Sequence, residues 1–125
     1  MAEYVETPCR TFTAGGALAQ YLRVVQASGT IAAAGLTDRE IGTTEWPAIA
    51  SGDLVAVRLR TAQGTCKMVA NQAISIDTLV YTAASGKVSD TAASTSYMIG
   101  VALSASTADG DIIEVLRHNH GIVTP

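Results

Sequence analysis

Two stretches of the chain repeat each other in order and composition, and this repeat constrains the fold more than any other feature. Tyr21-Leu22-Arg23-Val24-Val25-Gln26-Ala27-Ser28-Gly29-Thr30-Ile31 returns 57 residues later as Thr78-Leu79-Val80-Tyr81-Thr82-Ala83-Ala84-Ser85-Gly86-Lys87-Val88. Leu, Ala, Ser and Gly coincide, and a β-branched residue follows each Ser-Gly pair. A second block obeys the same order 58 residues apart: Ile41-Gly42, then Gly52-Asp53-Leu54-Val55-Ala56-Val57, against Ile99-Gly100, then Gly110-Asp111-Ile112-Ile113-Glu114-Val115. A fixed period of this length marks a repeated supersecondary unit. The expected architecture is all-β, a small β-barrel or sandwich built from two tandem β-meander repeats, with each half supplying part of one body.

Helical periodicity is weak. Ala14 to Val24 is the best candidate, but Gly15-Gly16 lies near its start, so at most one short helix is expected. The rest alternates short apolar runs with breakers. Candidate strands are Leu22–Gln26, Thr30–Ala34, Asp53–Arg60, Cys66–Ala70, Thr78–Thr82, Met98–Ser104 and Asp111–Arg117. Ser28-Gly29 and Ser85-Gly86 read as hairpin turns, and Gly29 and Gly86 supply the positive φ such turns need. Asp109-Gly110 is the strongest local turn signal. Ala62-Gln63-Gly64-Thr65 reads as a tight hairpin loop joining Val55–Leu59 to Lys67–Val69. At Gly52-Asp53 and Gly110-Asp111, Gly reverses the chain and the Asp carboxylate satisfies turn backbone two residues on. These carboxylates are read as structural. Residues 1–13 read as an extended N-terminal arm, 14–118 as one β domain with halves at about 19–60 and 76–118, and 119–125 as a tail.

Composition narrows the function classes. Of 125 residues, 15% are charged, against roughly 25% in an average soluble domain. A surface so poor in charge suggests one that is covered, as in a homo-oligomer. The net charge is −3 and the eight basic residues are scattered, which disfavours nucleic-acid binding. Apolar runs are short and interrupted, so no membrane span is expected. The opening Met1-Ala2-Glu3-Tyr4 lacks the basic and apolar regions of a secretory signal, and Cys9 and Cys66 are expected to be reduced.

Little in the sequence resembles catalytic or cofactor chemistry. His118 and His120 share one face of a strand and could offer two metal ligands; no further histidine exists to complete a site. They are read as a polar C-terminal strand end or tail. No nucleophile elbow or phosphate-binding Gly-rich loop is present. Cys66 is read as a small packed hydrophobe, and Asp38, Glu40 and Glu45, with Arg39 beside them, as a solvated loop. Trp46, in the Thr37–Ala50 loop, is either a core plug or an interface anchor. Met1–Thr13, with Tyr4 and Val5, suits an arm that docks by strand addition. No catalytic residue, cofactor or metal is therefore expected.

Leu79–Val88, Ile99-Gly100-Val101-Ala102-Leu103 and Asp109–Leu116 together resemble the C-terminal core of phage and prophage capsid cement (head decoration) proteins. Residues 73–118 carry most of the resemblance, and 17–60 fit it more loosely through Gly52–Val57. It implies a β-rich homo-oligomer, most often a trimer. Such an oligomer would be made in a host bacterial cytoplasm and bind the major capsid protein on the outside of a phage head. It implies no enzyme activity, no cofactor, no nucleic acid and no membrane. The Thr37–Ala50 loop and the His-Asn-His end depart from the pattern, which leaves the shell-facing surface open. A carbohydrate- or receptor-binding β-module of a virion is the alternative, though one Trp and one Phe are few for stacking on sugar. A small trimeric nucleotide hydrolase would recruit Asp53 or Asp111, but lacks supporting phosphate-binding residues.

Overall fold

In the computed structural model, which describes residues 7–117, each half of the sequence forms its own five-stranded antiparallel sheet. The first sheet contains β1 (Cys9–Thr13), β2 (Arg23–Ala27), β3 (Thr30–Ala33), β4 (Gly42–Thr44) and β5 (Leu54–Leu59). The second contains β6 (Cys66–Val69), β7 (Leu79–Thr82), β8 (Val88–Ser89), β9 (Met98–Ala102) and β10 (Ile112–Arg117). Strand order is β1-β5-β4-β2-β3 in one sheet and β6-β10-β9-β7-β8 in the other, the same permutation twice. The fold is thus all-β, two-sheeted and sandwich-like. A single 3-10 turn, Ala84–Gly86, is the one helical feature among the described residues.

The duplication extends to backbone detail. Tyr21 and Asp77 both take positive φ, 61° and 67°, ahead of β2 and β7. Gly52 and Gly110 do so at 95° and 96° ahead of β5 and β10. Leu18 and Ala48 exchange backbone hydrogen bonds, as do Ile74 and Ser106. Each sheet also curls until its edges touch at one parallel bridge, Ala14 to Ile31 and Ala70 to Val88, without closing as a continuous barrel. The repeat spacing opens along the chain. Tyr21 matches Asp77, but Gly42 matches Gly100, because the second half carries one more residue in its Ser-Gly turn and one more before β9.

Each half encloses its own apolar core. Phe12, Leu18, Leu22, Val24, Ile31, Val55 and Val57 fill the first, and Val69 of β6 joins them. Met68, Ile74, Val80, Val88, Ile99, Ile113 and Val115 fill the second. The alternation in β5 and β10 places Val55 and Val57, or Ile113 and Val115, inward and their neighbours outward. The Ile-Gly pairs have a steric cause. A Cβ on Gly42 would lie 2.2 Å from the Arg58 carbonyl oxygen, and one on Gly100 would lie 2.0 Å from that of Leu116. Only glycine lets β4 and β9 cross β5 and β10 this closely.

Several expectations need correction. Residues 62–65 do not close a hairpin: β5 pairs with β4 and β1, so both its edges are occupied, and β6 pairs with β10 in the other sheet. The segment is the link between halves. The helix candidate 14–24 holds two bridges and the start of β2 instead. The arm ends earlier than expected, since Cys9–Thr13 is edge strand β1 and Phe12 enters the core. The Thr37–Ala50 loop contains β4, whose three residues are all buried and so give no alternating pattern.

Candidate interaction surfaces

The two Gly-Asp turns are built alike. The Asp53 carboxylate accepts hydrogen bonds from the backbone N–H of Ile49 and Ala50, at 2.9 and 3.0 Å. The Asp111 carboxylate accepts from Thr107 and Ala108, at 2.8 and 3.1 Å, and from the Thr107 hydroxyl at 3.0 Å. The Asp reaches back three and four residues rather than forward two. The Thr107 and Ala108 backbone donors, with the Thr107 hydroxyl, hold the Asp111 carboxyl below the ordinary carboxylate value. Both side chains thus fix the loop that ends in Gly52 or Gly110.

The first half meets the second through buried charge. Arg23 and Glu40 are both fully buried, with Arg23 Nη1 3.3 Å from Glu40 Oε1. Arg117, at the end of β10, places Nη1 3.2 Å from Glu40 Oε2. Arg23 also donates to the carbonyls of Ala83 at 2.6 Å and Lys87 at 3.0 Å, both in the β7–β8 turn. Burial pulls the Arg23 guanidinium below its ordinary value, while Glu40 and Asp38 push it back up. Gly86 seals the contact. Its N–H donates to the Ala34 carbonyl at 2.7 Å, and a Cβ there would lie 2.5 Å from Leu22 Cγ. The Thr82 hydroxyl donates to the Leu36 carbonyl at 2.7 Å. The expected solvated acidic loop is therefore corrected at Glu40: two arginines on different strands draw it inward. Arg23 and Arg117 were not legible as partners, though Arg23 interrupts an apolar run at a position where the second half has Leu79.

Outside the junction, large apolar side chains face solvent. Trp46 is 63%, Ile49 86% and Leu54 73% exposed, all on the β4–β5 connection or at its end. Trp46 is therefore no core plug. A second exposed group lies on the outer face of the second sheet, where Leu79, Val101 and Leu116 are registered partners across β7, β9 and β10. A contiguous exposed apolar patch, rather than a single exposed side chain, is the usual mark of an interaction surface.

An open cleft of about 590 Å³ at the junction is lined by Tyr21, Glu45, Arg58, Thr65, Cys66, Lys67 and Glu114. Its charges are mixed, and Lys67 Nζ lies 5.3 Å from the Tyr21 ring centre. The Cys66 sulfur is buried, donates to the Val115 carbonyl at 3.7 Å and accepts from Arg117 Nε at 3.2 Å, while burial, then the charge of Glu45, pushes the Cys9 thiol up. Both are free thiols. Among the described residues no three His, Cys, Asp or Glu side chains cluster as metal ligands. Tyr4, Val5, His118 and His120 lie outside the described residues.

Fold and surface together define a tandemly duplicated all-β module. The family model for phage cement protein matches residues 9–117, a span covering both sheets, and the chain belongs to that family. Membership implies a structural protein associated with a phage capsid. No curated protein matches the chain.

Proposed function

We propose that this chain is a capsid decoration protein that binds the outside of a phage head as an oligomer and stabilises the shell without catalysis. The observation that carries the reading is the β4–β5 connection. It presents Trp46, Ile49 and Leu54 to solvent on a chain with only 15% charged residues, and the Asp53 carboxylate pins its backbone. A pre-ordered apolar tip loses little entropy on docking. We assign it to the major capsid protein. Each contact is modest, but an oligomer, a trimer by family resemblance, engages several capsomers at once. Its later contacts are intramolecular and raise avidity far above one site. A ligand of the assembled shell that ignores dissociated subunits stabilises the shell by mass action.

Co-sedimentation with purified phage heads stripped of decoration tests this. The chain is expected to pellet with heads to saturation. Trp46→Ala combined with Ile49→Asp should weaken binding by about tenfold or more, the scale of losing one hot-spot contact. A chain that stays in the supernatant at every concentration would refute the proposal.

A further inference from the structure

We infer that the outer face of the second sheet binds the β2–β3 turn of another copy of this chain, repeating between chains the contact that joins the two halves within one. This deepens the oligomeric part of the proposed function and rests on a comparison of the two halves.

Arg23, Thr43 and Arg58 are registered partners across β2, β4 and β5. Leu79, Val101 and Leu116 hold the same places across β7, β9 and β10. In the first half two of the three are covered, Arg23 at 0% and Thr43 at 1% exposed, while Arg58 is half-buried at the edge of the open cleft. At Arg23 the cover is shared between the first half's own Gly35, Asp38 and Glu40 and the second half's β7–β8 turn, whose Ala83 and Lys87 carbonyls accept from Arg23 and whose Gly86 packs on Leu22. In the second half the same row lies open, with Leu79 42% and Leu116 44% exposed.

The other side of the contact shows the same imbalance. The β7–β8 turn is docked, whereas its counterpart, Ala27-Ser28-Gly29, is exposed, and no atom lies within 4 Å of a Cβ built on Gly29. Both turns carry the same left-handed pair, Ser28 and Gly29 at 51° and 83°, Ser85 and Gly86 at 60° and 74°. Each chain therefore has one turn and one face joined internally, and one turn and one face left over. The leftover face is apolar where the internal one is charged, with Leu79 in the place of Arg23 and Met98 in the place of Glu40. An apolar face between chains requires no desolvated charge. The resulting contact is head-to-tail, which closes into a ring when its rotation allows.

Light scattering on the purified chain, without heads, separates this from shell binding. The wild type is expected to be oligomeric at micromolar concentration. Leu79→Asp spoils the face and Ala27→Arg spoils the turn; both sites are exposed, so an unchanged β-sheet circular dichroism spectrum and a cooperative thermal transition should show that folding survives. Each variant alone should be monomeric. Mixed one to one, they should recover a dimer, because the first keeps its turn and the second its face. A face-to-face contact would leave Ala27→Arg oligomeric and would overturn the inference. So would a monomeric wild type, failure of the mixture to pair, or a Leu79→Asp defect confined to head binding, which would make the shell the occupant.

Discussion

Glu40 sits between two guanidinium groups with no exposed surface, so its charge has no solvent to fall back on. Removing one member of such a buried set leaves the others uncompensated. Glu40→Gln is expected to destabilise the fold by about 3–5 kcal/mol, read from urea unfolding. Gly100→Ala forces a methyl into the Leu116 carbonyl and should lose at least about 1–3 kcal/mol by overpacking in the same assay. Asp111 gives a pH signature. Its folded pKa lies below its unfolded one, so the unfolded chain takes up protons first on acidification. Its stabilisation is complete above about pH 4 and is lost as pH falls through the folded value. Asp111→Asn should flatten the acid limb of stability against pH, and an unchanged limb would refute the turn's role. The turn residues were readable because Gly-Asp chemistry is local. The buried ion cluster was not, because Arg23, Glu40 and Arg117 meet only after three separate segments fold.

Among the elements, the strands with clear alternation or apolar runs stood out in the sequence: β2, β3, β5, β6, β7, β9 and β10. The three that did not are β1, β4 and β8. β8 has two residues and β4 three, and β1 is an edge strand in a polar stretch where only Phe12 turns inward. β1 depends on a partner distant in sequence, and β4 and β8 are too short to show a local pattern. β1 changes how the N-terminus should be tested. Deletion through residue 12 removes most of an edge strand and a core side chain, and Phe12→Ala alone should lose about 3–5 kcal/mol. The link between β5 and β6 has the opposite character. It closes no hairpin, so three extra glycines after Gln63 should shift thermal unfolding by only a few degrees, since lengthening a loop costs about 0.6 kcal/mol per doubling. A large loss there would mean that the halves depend on a taut connection.

At the scale of the molecule, duplication gives one chain two copies of one β unit in unequal surroundings. The first unit has Arg23 and Thr43 of its outer face buried, with the second unit's β7–β8 turn bonded to Arg23, whereas Leu79 and Leu116 on the second unit's outer face are exposed. The repeat was legible in the sequence, and so was its all-β class. That each half would own a sheet and a core was not, because the pattern of apolar residues is the same whether two halves share one core or keep two. The family match covers both units, and the exposed Trp46, Ile49 and Leu54 give the module an apolar tip besides its open face. Under the proposed function, such a module strengthens a shell by occupying many equivalent sites at once. The most direct test is the temperature at which purified, DNA-filled heads release their genome, followed as the protein is titrated onto them. The release temperature is expected to rise with occupancy and level off at saturation. Heads that are fully decorated yet rupture at the same temperature as bare ones would contradict the account.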